Sequence, residues 1–375
     1  MTLPADVDNG APVPHRAKSN AHTATRASIA PAWLAVADRV PRHAFEPGFH
    51  LPVDKPDADS TLVTQFGVDE ADWANPAIRH GCSAPSSSTL PSLALHTWSD
   101  AEIAEGHTVL EIGTGTGYST ALACERLGSS HVTSVEIDPA RLARAANALY
   151  GCGYAPILAR ADGLYGYWPE AWFDRVVATC SFRAVPPVLL RQVRPGGKVL
   201  LPLSGWLNGS ARVLLTVNEN GTAEGPLLPG AISFMPTRTH AASAYGNPSD
   251  WAAGLPEQSR PARHIPERLT DATNEAFLLR YLVQSAVPDT QMVTIDGVLH
   301  LIDVVSGSAA TLACEADAWA VREDGPLKLW ERVEQVIDGF TAAGQPGPET
   351  FTLRVADDGQ RLSHPLMPPL RLPGF

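Results

Sequence analysis

The feature that most constrains the fold is a glycine-rich turn between a short apolar segment and a helical one. The turn spans residues 113–117, with glycine at every second position, and it follows the apolar run 108–112. A helical pattern covers 119–127, and a second apolar run covers 132–136. Asp138-Pro139 then begins another helix, with Asp as N-cap and Pro at the first helical position. This order predicts a β-α-β unit with the turn at the carboxyl ends of parallel strands.

The same alternation of apolar runs and helical stretches continues from about residue 33 to about residue 238. It predicts an α/β fold, a doubly wound sheet with crossover helices. Four later strands are expected, at 157–160, 175–179, 198–202 and 212–217.

Composition divides the rest of the chain. Residues 1–28 are rich in Ala, Pro, Asn, Thr and Ser and are predicted to be a disordered tail. The main domain is assigned to 29–238, a Pro/Ser/Ala-rich linker to 239–265, and a smaller C-terminal α+β domain to 266–375. The best element of that last domain is a helix opening at Pro326, whose apolar stripe predicts core packing; the stripe is Leu329, Trp330, Val333, Ile337 and Phe340. Further strands are expected at 298–305 and 350–355.

Charge and cysteine usage narrow the function classes. The net charge is −12 and there is no basic run, so a nucleic-acid partner is not expected. No apolar run approaches the roughly 18 residues of a membrane span, and no membrane partner is expected. The cysteines are odd in number and scattered without a C-x-x-C pair, which favours reduced thiols in the cytoplasm and predicts no metal site; they are Cys82, Cys124, Cys152, Cys180 and Cys314.

Three strand ends together predict the ligand of the glycine turn. Tyr118 stands where a dinucleotide fingerprint has its third glycine, and no P-loop lysine follows. Glu136 ends the next strand, where a carboxylate can accept hydrogen bonds from ribose hydroxyls. Asp162-Gly163 follows the third strand, where a carboxylate can accept one from an adenine amino group. Alternatively the turn binds nothing, Glu136 is a solvated strand end and Asp162 is a helix cap. The combination favours an adenosyl ligand, and we expect S-adenosylmethionine as the cofactor.

Longer motifs resemble one enzyme family. Residues 109–118 are similar to the first motif of the protein-L-isoaspartate O-methyltransferases, and 161–174 resemble a more specific motif of the same family. Residues 40–47 and 232–236 look like its N-terminal signature and closing strand. The resemblance covers about 33–238 and implies a Rossmann-like S-adenosylmethionine-dependent methyltransferase fold. The cofactor contacts that it implies are Glu111, Gly113, Thr114, Gly115, Gly117, Tyr118, Ser119, Glu136, Ile137, Asp162, Gly163 and Thr179.

A hydroxyl-rich loop corresponds to the family's Thr-x-Ser-x-Pro motif. Aligned on Pro91, Ser87 takes the threonine position and Thr89 the serine position, so the two hydroxyl types are exchanged. The resemblance implies that Thr89 and Ser88 are catalytic, and that Ser87, Ser88 and Thr89 contact the substrate. Alternatively these hydroxyls form a local turn and cap the helix that begins at Pro91.

The segment 239–375 has no expected counterpart in the repair enzymes, and the core is expected to complete its sheet by about Arg238. The serine-rich loop and this extension resemble a branch associated with ribosomally made modified peptides: graspetides, lanthipeptides and lasso peptides. That resemblance implies methylation of an Asp side chain of a peptide, followed by collapse of the ester to an aspartimide, with the extension binding the peptide. Three alternatives stay open, namely housekeeping repair of isoaspartyl residues in proteins, methylation of a small-molecule hydroxyl and a non-catalytic scaffold that binds S-adenosylmethionine. The sequence makes no prediction of oligomeric state.

Overall fold

The computed structural model describes residues 29–45, 62–65, 86–169, 172–230 and 232–374. The predicted disordered tail 1–28 and the side chain of Ser87 lie outside this part of the chain.

Within the described residues the chain forms nine α-helices, numbered here in chain order. They are α1 (Pro31–Ala37), α2 (Pro91–Asp100), α3 (Tyr118–Leu127), α4 (Pro139–Gly151), α5 (Pro187–Leu190), α6 (Pro248–Ala253), α7 (Glu267–Thr270), α8 (Asn274–Ala286) and α9 (Leu329–Ala342). None of these helices has the length and apolar character needed to cross a membrane.

The same residues form seventeen strands. The first nine are β1 (Leu62–Gln65), β2 (Ser86–Ser88), β3 (Val109–Ile112), β4 (Val132–Glu136), β5 (Ile157–Arg160), β6 (Phe173–Ala178), β7 (Val193–Ser204), β8 (Ser210–Val217) and β9 (Ala223–Leu228). The other eight are β10 (Arg260–Pro261), β11 (Thr290–Ile295), β12 (Val298–Asp303), β13 (Ser308–Glu315), β14 (Ala318–Asp324), β15 (Thr352–Ala356), β16 (Gly359–His364) and β17 (Met367–Arg371).

A ten-stranded sheet forms the centre of the molecule, in the order β17-β16-β15-β9-β8-β7-β6-β3-β4-β5. The strands from β7 to β5 in this order are parallel, and those from β7 to β17 are antiparallel. Strands β3 and β4 are buried along their whole length because helices cover both faces of the parallel half. This arrangement confirms the predicted Rossmann-like α/β fold.

The strand that differs most from its predicted bounds is β7, which spans Val193–Ser204 rather than 198–202. It pairs with β6 on one side and forms a long antiparallel ladder with β8 on the other. Val193 pairs with Phe173 and Lys198 with Arg175, so the strand extends beyond its apolar centre across an irregularity at Arg194-Pro-Gly-Gly197. A propensity argument places those residues in a turn.

The C-terminal region contains a second sheet of five strands in the order β10-β14-β13-β12-β11. Helix α9 buries the predicted stripe, including Trp330, Val333 and Ile337, although it begins at Leu329 rather than at Pro326. The linker prediction is only partly met: 239–265 includes α6 and β10, and Arg260 binds Glu334 at 3.0 Å.

The expectation that the main sheet is complete by Arg238 is wrong. Strands β15, β16 and β17 belong to the main sheet and not to the five-stranded one, and β15 pairs directly with β9. Leu353 and Val355 of β15 are buried in the same apolar core as Val213 and Leu227. Without β15, the edge of β9 would expose unpaired backbone groups. The extension therefore supplies the strand that pairs with this edge.

Candidate functional site

A cavity of about 390 Å³ lies at the carboxyl ends of β3, β4, β5 and β6. That volume is typical of a small-molecule site. Twelve of the predicted site residues line it: Ser88, Thr89, Gly113, Thr114, Gly115, Tyr118, Ser119, Glu136, Ile137, Asp162, Gly163 and Thr179. Glu111 and Gly117 are not among the lining residues.

The glycine turn has the backbone conformation that its sequence predicts. Gly113 and Gly115 have φ angles of +100° and +58°, in the left-handed region. A Cβ added at Gly113 would lie 2.6 Å from Thr179 Oγ1, so a side chain is excluded there. A Cβ at Gly115 would meet nothing within 4 Å, which leaves that backbone open to close approach by a ligand.

Glu136 holds the glycine turn and faces the cavity. One carboxylate oxygen, Oε2, accepts a hydrogen bond from Gly115 N at 2.9 Å, and Oε1 accepts one from Asp138 N at 3.0 Å. Since each carboxylate oxygen can accept two hydrogen bonds, a second acceptor direction on each is available for ribose hydroxyls.

Asp162 follows β5, the neighbour of β4 in the sheet, where Ala161 N donates to Glu136 O at 3.1 Å. Its Oδ1 accepts from Leu164 N at 2.9 Å, and its Oδ2 accepts from Thr239 Oγ1 at 3.0 Å. Gly163 packs against β3, because a Cβ there would come within 2.1 Å of Ile112 Cγ2. Asp162 thus forms a local turn and lines the ligand cavity; no helix follows it, so it is not the helix cap that the alternative interpretation expected.

Glu111 lies fully buried beneath the turn. Its Oε2 accepts hydrogen bonds from Thr120 Oγ1 and from Ser134 Oγ, the latter at 2.8 Å. Its Oε1 has no hydrogen-bond partner within the described part of the chain. Burial raises the pKa of this carboxyl group, although hydrogen bonds from Ser119, Thr120 and Ser134 oppose the shift. Glu111 therefore supports the turn from below rather than forming the cavity surface.

The hydroxyl loop reaches the same cavity from the other side. Ser88 is buried and Thr89 is half-buried, and both line the cavity beside Leu93. Helix α2 follows at once, and its N-cap residue, Leu90, makes no side-chain capping hydrogen bond. The alternative in which these hydroxyls form a local turn and cap the helix stays open, since the side chain of Ser87 lies outside the described residues.

The cavity also contains residues that the sequence did not single out. Arg141 is 3% exposed, and its Nε lies 3.9 Å from Asp138 Oδ2. Burial lowers the pKa of Arg141 to about 10, so the guanidinium group is charged at neutral pH. The sequence offers one indication: Arg141 lies three residues after the N-cap Asp138, in the first turn of α4 at the strand ends.

The segment 233–238 forms a further wall of the cavity. The prediction of a closing strand at 232–236 is wrong, because only Pro236 makes an isolated β-bridge there, with Ser181. Ser181 N donates to Met235 O at 2.8 Å, and Ser181 Oγ donates to Phe234 O at 3.0 Å. Arg238 pairs with Asp138 at 2.9 Å. Cys180 lies in the cavity beside this wall, and burial raises the pKa of its thiol well above the usual range.

These residues fit an adenosyl ligand with a positively charged centre. The open backbone at Gly115, the carboxylates of Glu136 and Asp162 and the apolar side chain of Ile137 form one continuous surface. Within the described residues, no three His, Cys, Asp or Glu side chains are grouped as a metal site.

Comparison with known proteins identifies the same family as the motifs. Residues 65–226 match the family model described as protein-L-isoaspartate(D-aspartate) O-methyltransferase. The chain is 34% identical over 148 residues to a protein-L-isoaspartate O-methyltransferase of Ignicoccus hospitalis, covering 39% of this chain and 69% of that protein. It is 37% identical over 131 residues to protein-L-isoaspartate O-methyltransferase 2 of Syntrophobacter fumaroxidans, covering 34% of this chain and 51% of that protein. Across several of the relatives, the matched segment spans about half of their length.

A solved structure of a protein-L-isoaspartate O-methyltransferase shares the fold across most of the molecule. It aligns with a TM-score of 0.51 at 18% identity and covers 92% of this chain and 99% of that one. An alignment of that extent includes most of the residues after Arg238. The expectation that the C-terminal region lacks a counterpart in proteins of this name is therefore wrong. Sequence motifs, cavity and relatives agree, and the chain belongs to the protein-L-isoaspartate O-methyltransferase family.

Proposed function

We propose that this protein is an S-adenosylmethionine-dependent O-methyltransferase that esterifies a side-chain carboxylate of a peptide or protein. The observation that carries the proposal is the meeting of two groups of residues in one cavity. The strand-end carboxylates Glu136 and Asp162 line one side, and the hydroxyl loop with Ser88 and Thr89 lines another.

The chemistry of the lining residues favours an acceptor that is already an anion. When bound, S-adenosylmethionine supplies an electrophilic methyl group on its sulfonium. The described lining residues include no histidine or lysine that would serve as a general base, and burial keeps the Cys180 thiol protonated. A carboxylate, with a reference pKa of about 4, is ionised at neutral pH and needs no base.

The role of the chain is therefore orientation. Thr89 and Ser88 position the acceptor oxygen by hydrogen bonds, while Glu136 and Asp162 fix the ribose and the adenine. Orientation of this kind can supply roughly 7–11 kcal/mol of the barrier. Neutral hydroxyl groups suit this task because a stronger clamp would stabilise the ground-state anion more than the transition state.

For the acceptor we favour an isoaspartyl carboxylate, which the names of the relatives indicate for those proteins. A second candidate is an Asp side chain of a modified peptide, whose ester would close to an aspartimide. The exchanged hydroxyl types at Ser87 and Thr89 favour this second candidate, because they alter the loop nearest the acceptor. A contribution of residues 239–375 to peptide binding is part of the proposal for either acceptor.

Transfer of a labelled methyl group to two peptides tests the function. One is a short isoaspartyl peptide and the other is a cyclic peptide with a single Asp. We expect the wild-type protein to methylate the isoaspartyl peptide, and preference for the cyclic peptide would favour the second candidate. Transfer to neither would contradict the proposal.

The variant Thr89→Ala connects that activity to the cavity. Loss of one neutral hydrogen bond should lower the single-turnover rate about tenfold. The affinity for S-adenosylhomocysteine should stay within about twofold of the wild-type value, since we propose that Thr89 lies beside the acceptor. Thr89→Ser keeps the hydroxyl and serves as the matched control. An unchanged rate in Thr89→Ala would remove the loop from the reaction.

A further inference from the structure

The loop that connects β6 to α5, residues 179–186, is called here the β6–α5 loop, and its first two residues, Thr179 and Cys180, line the cavity. At its start Thr179 N donates to Ile112 O at 2.9 Å, and Thr179 Oγ1 donates to Gly113 O at 2.6 Å. Thr179 therefore packs directly against the glycine turn, and no side chain would fit between Gly113 and Thr179.

The next part of the loop binds the adjacent segment 233–237. Ser181 N donates to Met235 O at 2.8 Å, and Thr237 N donates to Ser181 O at 2.9 Å. The Ser181 hydroxyl group also lies 2.6 Å from Ser204 Oγ. The backbone of the segment 233–237 is thus ordered by one residue of the β6–α5 loop.

Gln360, far along the chain on β16, holds the other end of this loop. Val185 N donates to Gln360 Oε1 at 2.9 Å, and Gln360 Nε2 donates to Val185 O at 2.7 Å, across 175 residues of sequence. Gln360 is 7% exposed and Val185 is fully buried. Because a buried backbone N–H and C=O need partners, the single amide satisfies both groups as a neighbouring strand would.

Arg183 anchors the same loop to a second part of the C-terminal region. Its guanidinium group donates to Pro288 O at 2.6 Å and to Asp289 Oδ1 at 2.7 Å. It also lies 3.8 Å from the ring centre of Trp206. The C-terminal region therefore holds this loop at two residues, Arg183 and Val185.

We propose that Gln360 is a positioning residue for methyl transfer, acting on the acceptor side of the cavity through the β6–α5 loop. It fixes Val185, and thereby Ser181 and the segment 233–237. The inference rests on the proposed function for its kinetic consequence, but the ordering of the loop is measurable without turnover. On this account the extension contributes to catalysis through the wall that it supports, in addition to any contact with the substrate.

Two methionine variants of similar volume separate positioning from general stability. Gln360→Met removes both hydrogen bonds to Val185. Gln291→Met is the control, since Gln291 is 8% exposed, donates from its amide to Ser243 O at 2.6 Å and does not line the cavity. We expect Gln360→Met to lower kcat/KM for the acceptor peptide about tenfold relative to the control, with the affinity for S-adenosylhomocysteine changed less than about twofold in both.

Hydrogen exchange supplies the readout that does not depend on activity. Amides of 179–186 and 233–237 should exchange faster in Gln360→Met than in Gln291→Met. Equal exchange and equal kcat/KM in the two variants would overturn the proposal, as would a collapse of S-adenosylhomocysteine binding in Gln360→Met. If the wild-type protein methylates neither peptide, the proposed function fails, and the exchange rates alone then decide about Gln360.

The variant Gln360→Glu adds a test that a purely structural role would not meet, and it decides the matter if Gln360→Met fails to fold. An ionised carboxylate accepts from Val185 N but repels Val185 O, whereas a protonated carboxyl group can donate to that oxygen. Burial raises the pKa of such a group, so activity relative to wild type should rise as pH falls. A flat ratio across the acid range would contradict the proposal.

Discussion

Glu136 has two tasks at the end of β4, and both depend on where its two oxygens lie. Its hydrogen bonds to Gly115 N and Asp138 N shape the glycine turn and the entrance to α4. The same carboxylate lines the cavity at the position expected for the ribose. Hydrogen bonds within the protein therefore hold this side chain at the cavity, which reduces the cost of ordering it when a ligand binds.

Replacing Glu136 should therefore weaken ligand binding strongly. A hydrogen bond to a charged group contributes about 1.5–3 kcal/mol, so Glu136→Ala should raise the Kd for S-adenosylhomocysteine by roughly ten- to a hundredfold. Glu136→Gln retains one acceptor oxygen, so its Kd should lie between those of the wild-type protein and the alanine variant. Titration calorimetry measures the affinities, and an unchanged Kd in the alanine variant would exclude Glu136 from the site.

At the scale of elements, the N-terminus of α4 connects the cofactor side of the cavity to the end of the main domain. Asp138 Oδ1 accepts from Ala140 N at 2.9 Å and from Arg141 N at 3.2 Å, as the Asp-Pro pair predicts. Its Oδ2 binds Arg238 at 2.9 Å. One carboxylate thus caps a helix and fastens the segment that closes the cavity.

The pH dependence of stability should reveal this cap. Burial opposes ionisation of Asp138, but hydrogen bonds from Arg238 and from the backbone of Arg141 and Ala140 outweigh it and lower its pKa. An acid with a lowered folded-state pKa stabilises the fold above its unfolded value of about 3.9 and loses that contribution as pH falls through the folded value. Asp138→Ala should cost about 1 kcal/mol at neutral pH, the usual value of an N-cap.

Urea unfolding of the wild-type protein, Asp138→Ala and Asp138→Asn between acid and neutral pH measures these differences. The asparagine variant preserves the cap without the charge, so its deficit should be full above about pH 4 and should disappear as pH falls below the lowered pKa of Asp138. A wild-type advantage over Asp138→Asn that persists unchanged in strong acid would show that the charge of Asp138 contributes nothing.

At the scale of the molecule, the main sheet and its core run continuously from the cofactor half into the C-terminal region. Strand β15 lies between β9 and β16, and Leu353 is fully buried there. The strand that starts at Thr352 therefore stabilises a sheet whose other edge, at β5, borders the cavity. We expect the described parts of both regions to unfold together.

Leu353→Ala tests this continuity, with the exposed neighbour Thr352→Ala as the control. A buried Leu→Ala change costs about 2–5 kcal/mol, so the melting temperature measured with bound S-adenosylhomocysteine should fall clearly in the first variant only. A chain ending at residue 240 should be insoluble, because it leaves the edge of β9 without a partner. Unchanged melting of the ligand-binding half in Leu353→Ala would instead indicate an independent C-terminal domain.

The local sequence pattern was sufficient to predict the features that depend on interactions between neighbouring residues. The strand, glycine turn and helix from 109 to 127 follow from apolar runs and from glycine, and the cap at Asp138 follows from its pairing with Pro139. Since the carboxyl ends of parallel strands lie at one edge of a sheet, the sequence alone predicted that Glu136 and Asp162 lie close together. The hydroxyl loop was found through its resemblance to a motif, and the structure adds that it reaches the same cavity.

Tertiary structure alone decided the contacts between distant segments. Nothing in the sequence of β15 indicates that it pairs with β9 rather than with the five-stranded sheet, because alternating apolar residues fit any half-buried edge. Arg141 lines the cavity because the first turn of α4 lies at the end of β4, and Gln360 reaches Val185 because β16 belongs to the main sheet. Periodicity and turn chemistry act over a few residues and therefore determine elements, whereas the choice of partner depends on which edges and buried polar groups the whole fold leaves to be satisfied.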